Sequence, residues 1–152
     1  MGAALRMLSR RALSEGEIRD KLSDRGFASA QAEAAIRRLR ELGLVDDRKL
    51  CAQLARSYRE SRRYGPVKIS WTLRARRFPP DLVEEVLKGS SSEEDEVAAA
   101  MAALRKKFRG EIPSGRQGAA KAYRFLAMRG FLPETCRRAI GGPGRDIQEG
   151  ED

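Results

Sequence analysis

The chain has 152 residues, 31 of them Lys or Arg and 22 Asp or Glu, for a net charge of +9; 41% are apolar, 6% aromatic and none is His. That size fits one domain or a few very small ones, and the apolar share with 14 Gly is that of a folded protein rather than a polycationic coil. The lack of His excludes the commonest general base, the commonest zinc ligand and every Ser/His/Asp or Cys/His catalytic arrangement together.

Comparing the chain with itself reveals a repeat that frames every element. Leu22, Gly26 and Phe27 recur 51 positions on as Leu73, Arg77 and Phe78, and 53 further on as Leu126, Gly130 and Phe131. Ile18/Ile69/Ala122, Ala32/Val83/Cys136, Ala35/Val86/Ala139 and Ile36/Leu87/Ile140 keep the register. These positions are apolar throughout and spaced as one buried helical face.

In chain order, Leu5 to Arg11 reads as a short first helix. Ser14, followed by Glu17, is a capping box opening a second helix, which Gly26 stops from the left-handed C′ position. Ser29 starts a third helix. Asp46 or Asp47 caps a fourth running to about Arg63. Gly65 and Pro66 open the fifth, with proline where a missing N–H costs nothing, and Pro80 opens the sixth. Ser91 or Ser92 caps a seventh from Glu93 to about Arg109, with an acidic first turn. Gly118, at the repeat position of Ser14 and Gly65, is read as the next N-cap; Gly130 stops that helix and Pro133 begins the last. No strand is expected. The fold class is all-α, three tandem three-helix repeats over residues 1–43, 44–89 and 90–141, with a Gly- and acid-rich tail, 142–152, read as disordered. Ser90 to Ser92 and Gly110 to Gly115 read as linkers. Such short helices are marginal alone, so the shared apolar stripe must hold them. Leu73→Ala is expected to cost about 2–5 kcal/mol.

Charge is concentrated in the body. Thirty basic and eighteen acidic residues precede position 142, a net +12, and the middle repeat is the most basic. Within it, the stretch Arg56 to Arg77 holds Arg56, Arg59, Arg62, Arg63, Lys68, Arg74, Arg76 and Arg77 against the single acid Glu60, with Tyr58, Tyr64 and Trp71 among them. Guanidinium forks pair with phosphate or carboxylate and flat rings stack on bases, so this stripe suits a polyanion or an acidic protein groove. A solvated surface over core aromatics is the ordinary alternative. Trp71 lies about 200° around its helix from Ile69 and therefore points away from the expected core, as an interface residue does.

Arg25, Arg76 and Arg129 share one repeat position. A cation in the last helical turn, offsetting the macrodipole by about 0.3–1 kcal/mol, is preferred there to a contact row. The Asp46-Asp47 pair reads as a cap rather than a metal site or carboxylate dyad, because no other ligand type converges on it. Cys51 and Cys136, far apart and without a CxxC partner, read as buried small residues in a reducing compartment. No phosphate-binding glycine loop is present. No apolar run of membrane-spanning length and no secretion signal is seen, so no membrane association is expected; with no His, no metal-ligand spacing and no nucleotide motif, no cofactor is expected either.

The run Ser14-Glu15-x-Glu17-Ile18-x-x-x-Leu22-x-x-x-Gly26-Phe27, then Leu39-x-x-Leu42-Gly43-Leu44-Val45-Asp46-Asp47, then Arg59 to Gly65 leading to Ile69 and Leu73, resembles the RecX family of recombination regulators; Gly130-Phe131-Leu132 matches its last repeat. The likeness spans about residues 3 to 141. It implies a bacterial cytoplasmic protein without catalytic groups, a monomer of elongated, curved shape that lodges in the groove of the RecA recombinase filament on DNA. Such a protein inhibits ATP hydrolysis, strand exchange and the co-protease activity that triggers the SOS response, and weak, nonspecific DNA binding is a family trait. Leu50-Cys51 replaces the family's Phe-Ala, Arg77 replaces the usual glycine of the middle turn, which is then expected to be built differently, and a longer leading arm is not expected. The stripe Arg59, Arg62, Arg63, Lys68, Trp71, Arg74, Arg76 and Arg77 is the expected contact surface for filament and DNA. The competing reading is a stand-alone helical DNA-binding protein.

Overall fold

The structure, a computed structural model, describes residues 1–141; the expected disordered tail lies outside them. The described residues form nine helices and no strand: α1 (Gly2–Leu8), α2 (Glu15–Asp24), α3 (Ser29–Glu41), α4 (Asp47–Glu60), α5 (Pro66–Ala75), α6 (Pro80–Ser90), α7 (Glu93–Lys107), α8 (Gly115–Met128) and α9 (Pro133–Gly141). The fold is therefore the expected all-α repeat.

Local chemistry accounts for most boundaries. Ser14 accepts from the Glu17 amide while the Glu17 carboxylate accepts from the Ser14 amide, and Ser92 and Asp95 repeat that box at the start of α7. Ser29, Pro80 and Pro133 each occupy the first position of their helix. Gly26 and Gly130 take φ values of +87° and +91°. Arg77, contrary to expectation, builds the same turn as its glycine counterparts, at φ +64°. In all three turns the final amide bonds five residues back, Phe27 to Leu22, Phe78 to Leu73 and Phe131 to Leu126.

Two readings are corrected and one pair of alternatives is resolved. Helix α1 sits earlier than Leu5 to Arg11 because Ala3, Ala4 and Met7 are the residues that reach the core. Gly118 is not an N-cap but lies one turn inside α8, which starts after extended Ser114. Asp46 caps α4 by accepting from the Lys49 amide, whereas the Asp47 carboxylate accepts from the Glu15 amide at 2.9 Å and so serves α2.

The matched leucines Leu22, Leu73 and Leu126 are all buried, as are Ile18, Ile69 and Ala122. The chain divides into two compact units, Met1–Arg56 with Ser70–Lys88, and Ser57–Ile69 with the residues from Gly89 onward. The boundaries fall inside α4, α5 and α6. In the first unit Ile18, Leu22, Ile36, Leu39 and Val45 centre one core; in the second, Leu104, Leu126, Phe131 and Cys136 centre another.

Each unit holds one repeat-to-repeat junction of the same design: the start of one repeat's second helix receives the turn that ends the next repeat's second helix. In the first unit, Ser14 Oγ donates to the Arg76 carbonyl at 2.6 Å, and Arg76 donates to the Ala12 carbonyl and to Glu17, each at 2.9 Å. The approach is close enough that a Cβ on Gly16 would lie 2.5 Å from the Arg77 carbonyl oxygen. In the second unit, the Gly65 amide donates to the Arg129 carbonyl at 2.7 Å, the Val67 amide to Gly130 at 2.9 Å, and the Arg129 guanidinium to the Arg62 carbonyl at 3.0 Å. The arginines at the shared repeat position thus reach into the preceding repeat at both junctions, rather than merely opposing their own helix dipole.

Candidate partner-binding surface

The basic stripe is distributed over both units. In the first, Trp71 stands on α5 with 73% of its surface exposed, as its helical phase requires. Arg74 is exposed on the same helix. Arg77, beyond the helix end, pairs with Asp20 at 2.9 Å between side chains that are both largely in solvent. Arg76 is mostly covered and holds the junction described above.

In the second unit, Arg59 is also mostly covered: its guanidinium pairs with Glu96 and donates to the Ser90 carbonyl at 3.3 Å. Burial makes that pair costly to break from one side. Lys68 lies over the Tyr64 ring, its Nζ 4.4 Å from the centroid. Arg62 and Arg63 line a cleft of about 570 Å³ together with Tyr64, Lys106, Lys107, Arg109, Phe125 and Arg129. Six cations line it and no acidic residue does.

The rings in this cleft organise its charges. The Arg129 guanidinium lies 5.9 Å from the Tyr64 centroid and 5.5 Å from that of Phe125, and Lys107 lies 5.9 Å from Phe125. A cation held on an aromatic face loses less freedom when it meets an anion. The hydrogen bond from Arg62, with the fields of Lys68 and Arg129, holds the Tyr64 phenol below its ordinary range against desolvation. Arg63 and Arg109 both take left-handed backbone, φ +59° and +53°, a conformation costing a non-glycine residue about 1–2 kcal/mol. Two strained arginines and four further cations around one carboxylate-free cleft can bind phosphate or carboxylate groups.

Sequence reasoning placed Arg62 and Arg63 in the stripe but missed Lys106, Lys107 and Arg109, which belong to the basic end of α7 and come alongside only through folding. Arg129 was visible as a repeat position and was given a helix-end role. Arg59 and Arg76, singled out as contacts, are mostly covered and pair inside the chain with Glu96 and Glu17. Both cysteines are free and buried; burial, then the Asp47 charge, pushes the Cys51 thiol up to about 11, away from reactivity. Among the described residues no helix is long and apolar enough to cross a membrane, and no cluster of His, Cys, Asp or Glu could hold a metal ion.

Three family models match in succession, described as the first, second and third three-helix domains of RecX, over residues 1–39, 46–87 and 93–140. The chain is 33% identical over 148 residues to a regulatory protein RecX of Halorhodospira halophila, covering 97% of this chain and 90% of that protein. It is 43% identical over 130 residues to a regulatory protein RecX of Thermus thermophilus, covering 84% and 80%. The crystal structure of RecX from Lactobacillus salivarius superposes with a TM-score of 0.78 at 21% identity, covering 91% of this chain and 90% of that one, which shows a shared fold. By three matched domains in order and by identity along nearly its whole length, the chain belongs to the RecX family of regulatory proteins.

Proposed function

We propose that this chain binds the filament that the RecA recombinase forms on DNA, lodging in its groove as a monomer in the bacterial cytoplasm. There it restrains ATP hydrolysis, strand exchange and co-protease activity, and with them recombination, DNA repair and the SOS response. It acts by contact and not by catalysis. The observation that carries this reading is the carboxylate-free cationic cleft of the second unit in a chain of this regulatory family. A filament on DNA offers both acidic protein surface and phosphates, and Arg62, Arg63, Lys106 and Arg109 suit either. Trp71 and Arg74 supply an exposed aromatic anchor and a charge on the other unit.

The test is RecA ATPase on single-stranded DNA, titrated with this protein. Hydrolysis is expected to fall as the protein is added, and Arg62→Glu with Lys106→Glu, both on exposed side chains, to raise the concentration for half inhibition about tenfold, a loss of roughly 1.4 kcal/mol. Unaffected ATPase at equimolar protein sinks the filament reading. The cleft itself favours a second reading, a stand-alone DNA binder. In that case bare duplex is held tightly, with a log–log salt slope of about −0.9 per phosphate neutralised, and the recombinase adds nothing.

A further inference from the structure

The three helix-ending turns have the same backbone hydrogen bonds but different surroundings. In the second and third repeats the turn is docked: Phe78 and Phe131 are 3% and 4% exposed, and Arg76 and Arg129 donate to carbonyls ahead of another helix. In the first repeat the equivalent Phe27 is 40% exposed and Arg25 lies in solvent. Beside it opens a cleft of about 480 Å³, which Arg25 lines with Arg6, Arg10, Arg11 and Lys21, against the single acid Asp24.

The docked copies show what such a turn receives. Its seat is the first turn of a helix with a small residue at or just inside the N-cap, Ser14 and Gly16 in one junction and Gly65 in the other, and a preceding carbonyl that accepts from the turn's arginine. The two seats differ in charge, since Glu17 accepts from Arg76 at 2.9 Å whereas Lys68 stands at the matching position in the second junction. The cationic surroundings of Arg25 select the acidic kind.

We propose that Arg25-Gly26-Phe27 is a docking knob for another protein, and that it receives the acidic, small-residue N-terminal turn of a partner's helix, as Arg76-Arg77-Phe78 receives the start of α2. The knob belongs to the first unit, shares no residue with the cationic cleft of the second, and does not require the recombinase to be the partner.

The test titrates the full, isotope-labelled chain with a side-chain-stapled helical peptide copying Arg11–Asp24, followed by amide chemical shifts. Shifts are expected to cluster between Lys21 and Ala28, with a dissociation constant of about 1 mM or tighter. Carrying Ser14→Ala and Glu17→Gln in the peptide, or Arg25→Gln in the chain, is expected to weaken binding about fivefold or more by removing charge-assisted hydrogen bonds. Phe27→Ala, at a side chain 40% exposed, is a second variant, with unchanged amide dispersion elsewhere as the check on its fold, and is expected to weaken the peptide by a similar factor. The proposal is overturned by no shifts at several times that concentration, by equal binding of the altered peptide, or by shifts confined to residues 74–78, which would mean the peptide invades the internal junction. Because the probe contains no recombinase, its failure leaves the filament reading intact, and failure of the ATPase test leaves the knob intact.

Discussion

Asp47 shows how one side chain serves an element other than its own. Its carboxylate receives the Glu15 amide at the start of α2, and partial burial, outweighing that bond, raises its pKa above the ordinary carboxylate range. The native state therefore holds the proton more tightly than the unfolded chain does, so this group's contribution to stability falls as pH rises above the unfolded value. Asp47→Asn keeps the acceptor and removes the buried charge. Urea melts from pH 4 to 7 are expected to show the variant gaining on the parent as pH rises; a gap independent of pH would refute this. The junctions make an equally local demand. Gly16→Ala would press a methyl into the Arg77 carbonyl, and a loss of about 1–3 kcal/mol is expected from overpacking. Arg77→Gly moves the other way, since glycine carries φ +64° without strain; a gain of up to about 1 kcal/mol is expected in the same melts, because the Asp20 pair it gives up is largely exposed.

Among the elements, the ends of the helices were more legible than their lengths. Ser14, Ser92, Pro66, Pro80 and Pro133 act through their own backbone and nearest neighbours, so sequence located them without tertiary knowledge. Gly118 misled because repeat register placed it at a cap while the extended Ser114 had already begun α8. Helix α4 stops at Glu60, short of Arg63, whose positive φ breaks helical geometry before Gly65. Helix α5 has little intrinsic reason to persist, being ten residues long. It is pinned by Ile69 and Leu73, both fully buried. Leu73→Ala is expected to cost about 2–5 kcal/mol by thermal or urea unfolding, and a smaller loss than about 1 kcal/mol would mean that α5 is held by something other than its apolar face.

For the molecule as a whole, net charge sets association behaviour more than fold. A body carrying +12 ahead of residue 142 is expected to be steered to polyanions at rates that fall steeply with ionic strength. Replacing Lys106 and Arg62 by Gln is expected to reduce the salt slope on single-stranded DNA by about 0.7 for each phosphate that is no longer neutralised. An unchanged slope would remove the cleft from the polyanion surface. Arg59→Ala is a poor probe of binding, because it leaves the Glu96 carboxylate, 8% exposed, with the Ser91 hydroxyl but without its cationic partner. Its expected effect is a loss of stability of about 3–5 kcal/mol, checked by thermal melting, and any weakened binding follows from that.

The amino-acid sequence by itself determined the helical class, the threefold repeat, the Ser14 capping box and the outward Trp71, because periodicity, capping and phase depend on residues within a turn or two of one another. Only the tertiary structure decided which charges are paired inside the chain and which line the cationic cleft. Arg59 finds Glu96 37 positions away and Arg76 finds Glu17 59 positions away, while the basic end of α7 arrives beside Arg62 and Arg63. Pairing energies between distant charges depend on separation and burial, and neither is set until the helices pack.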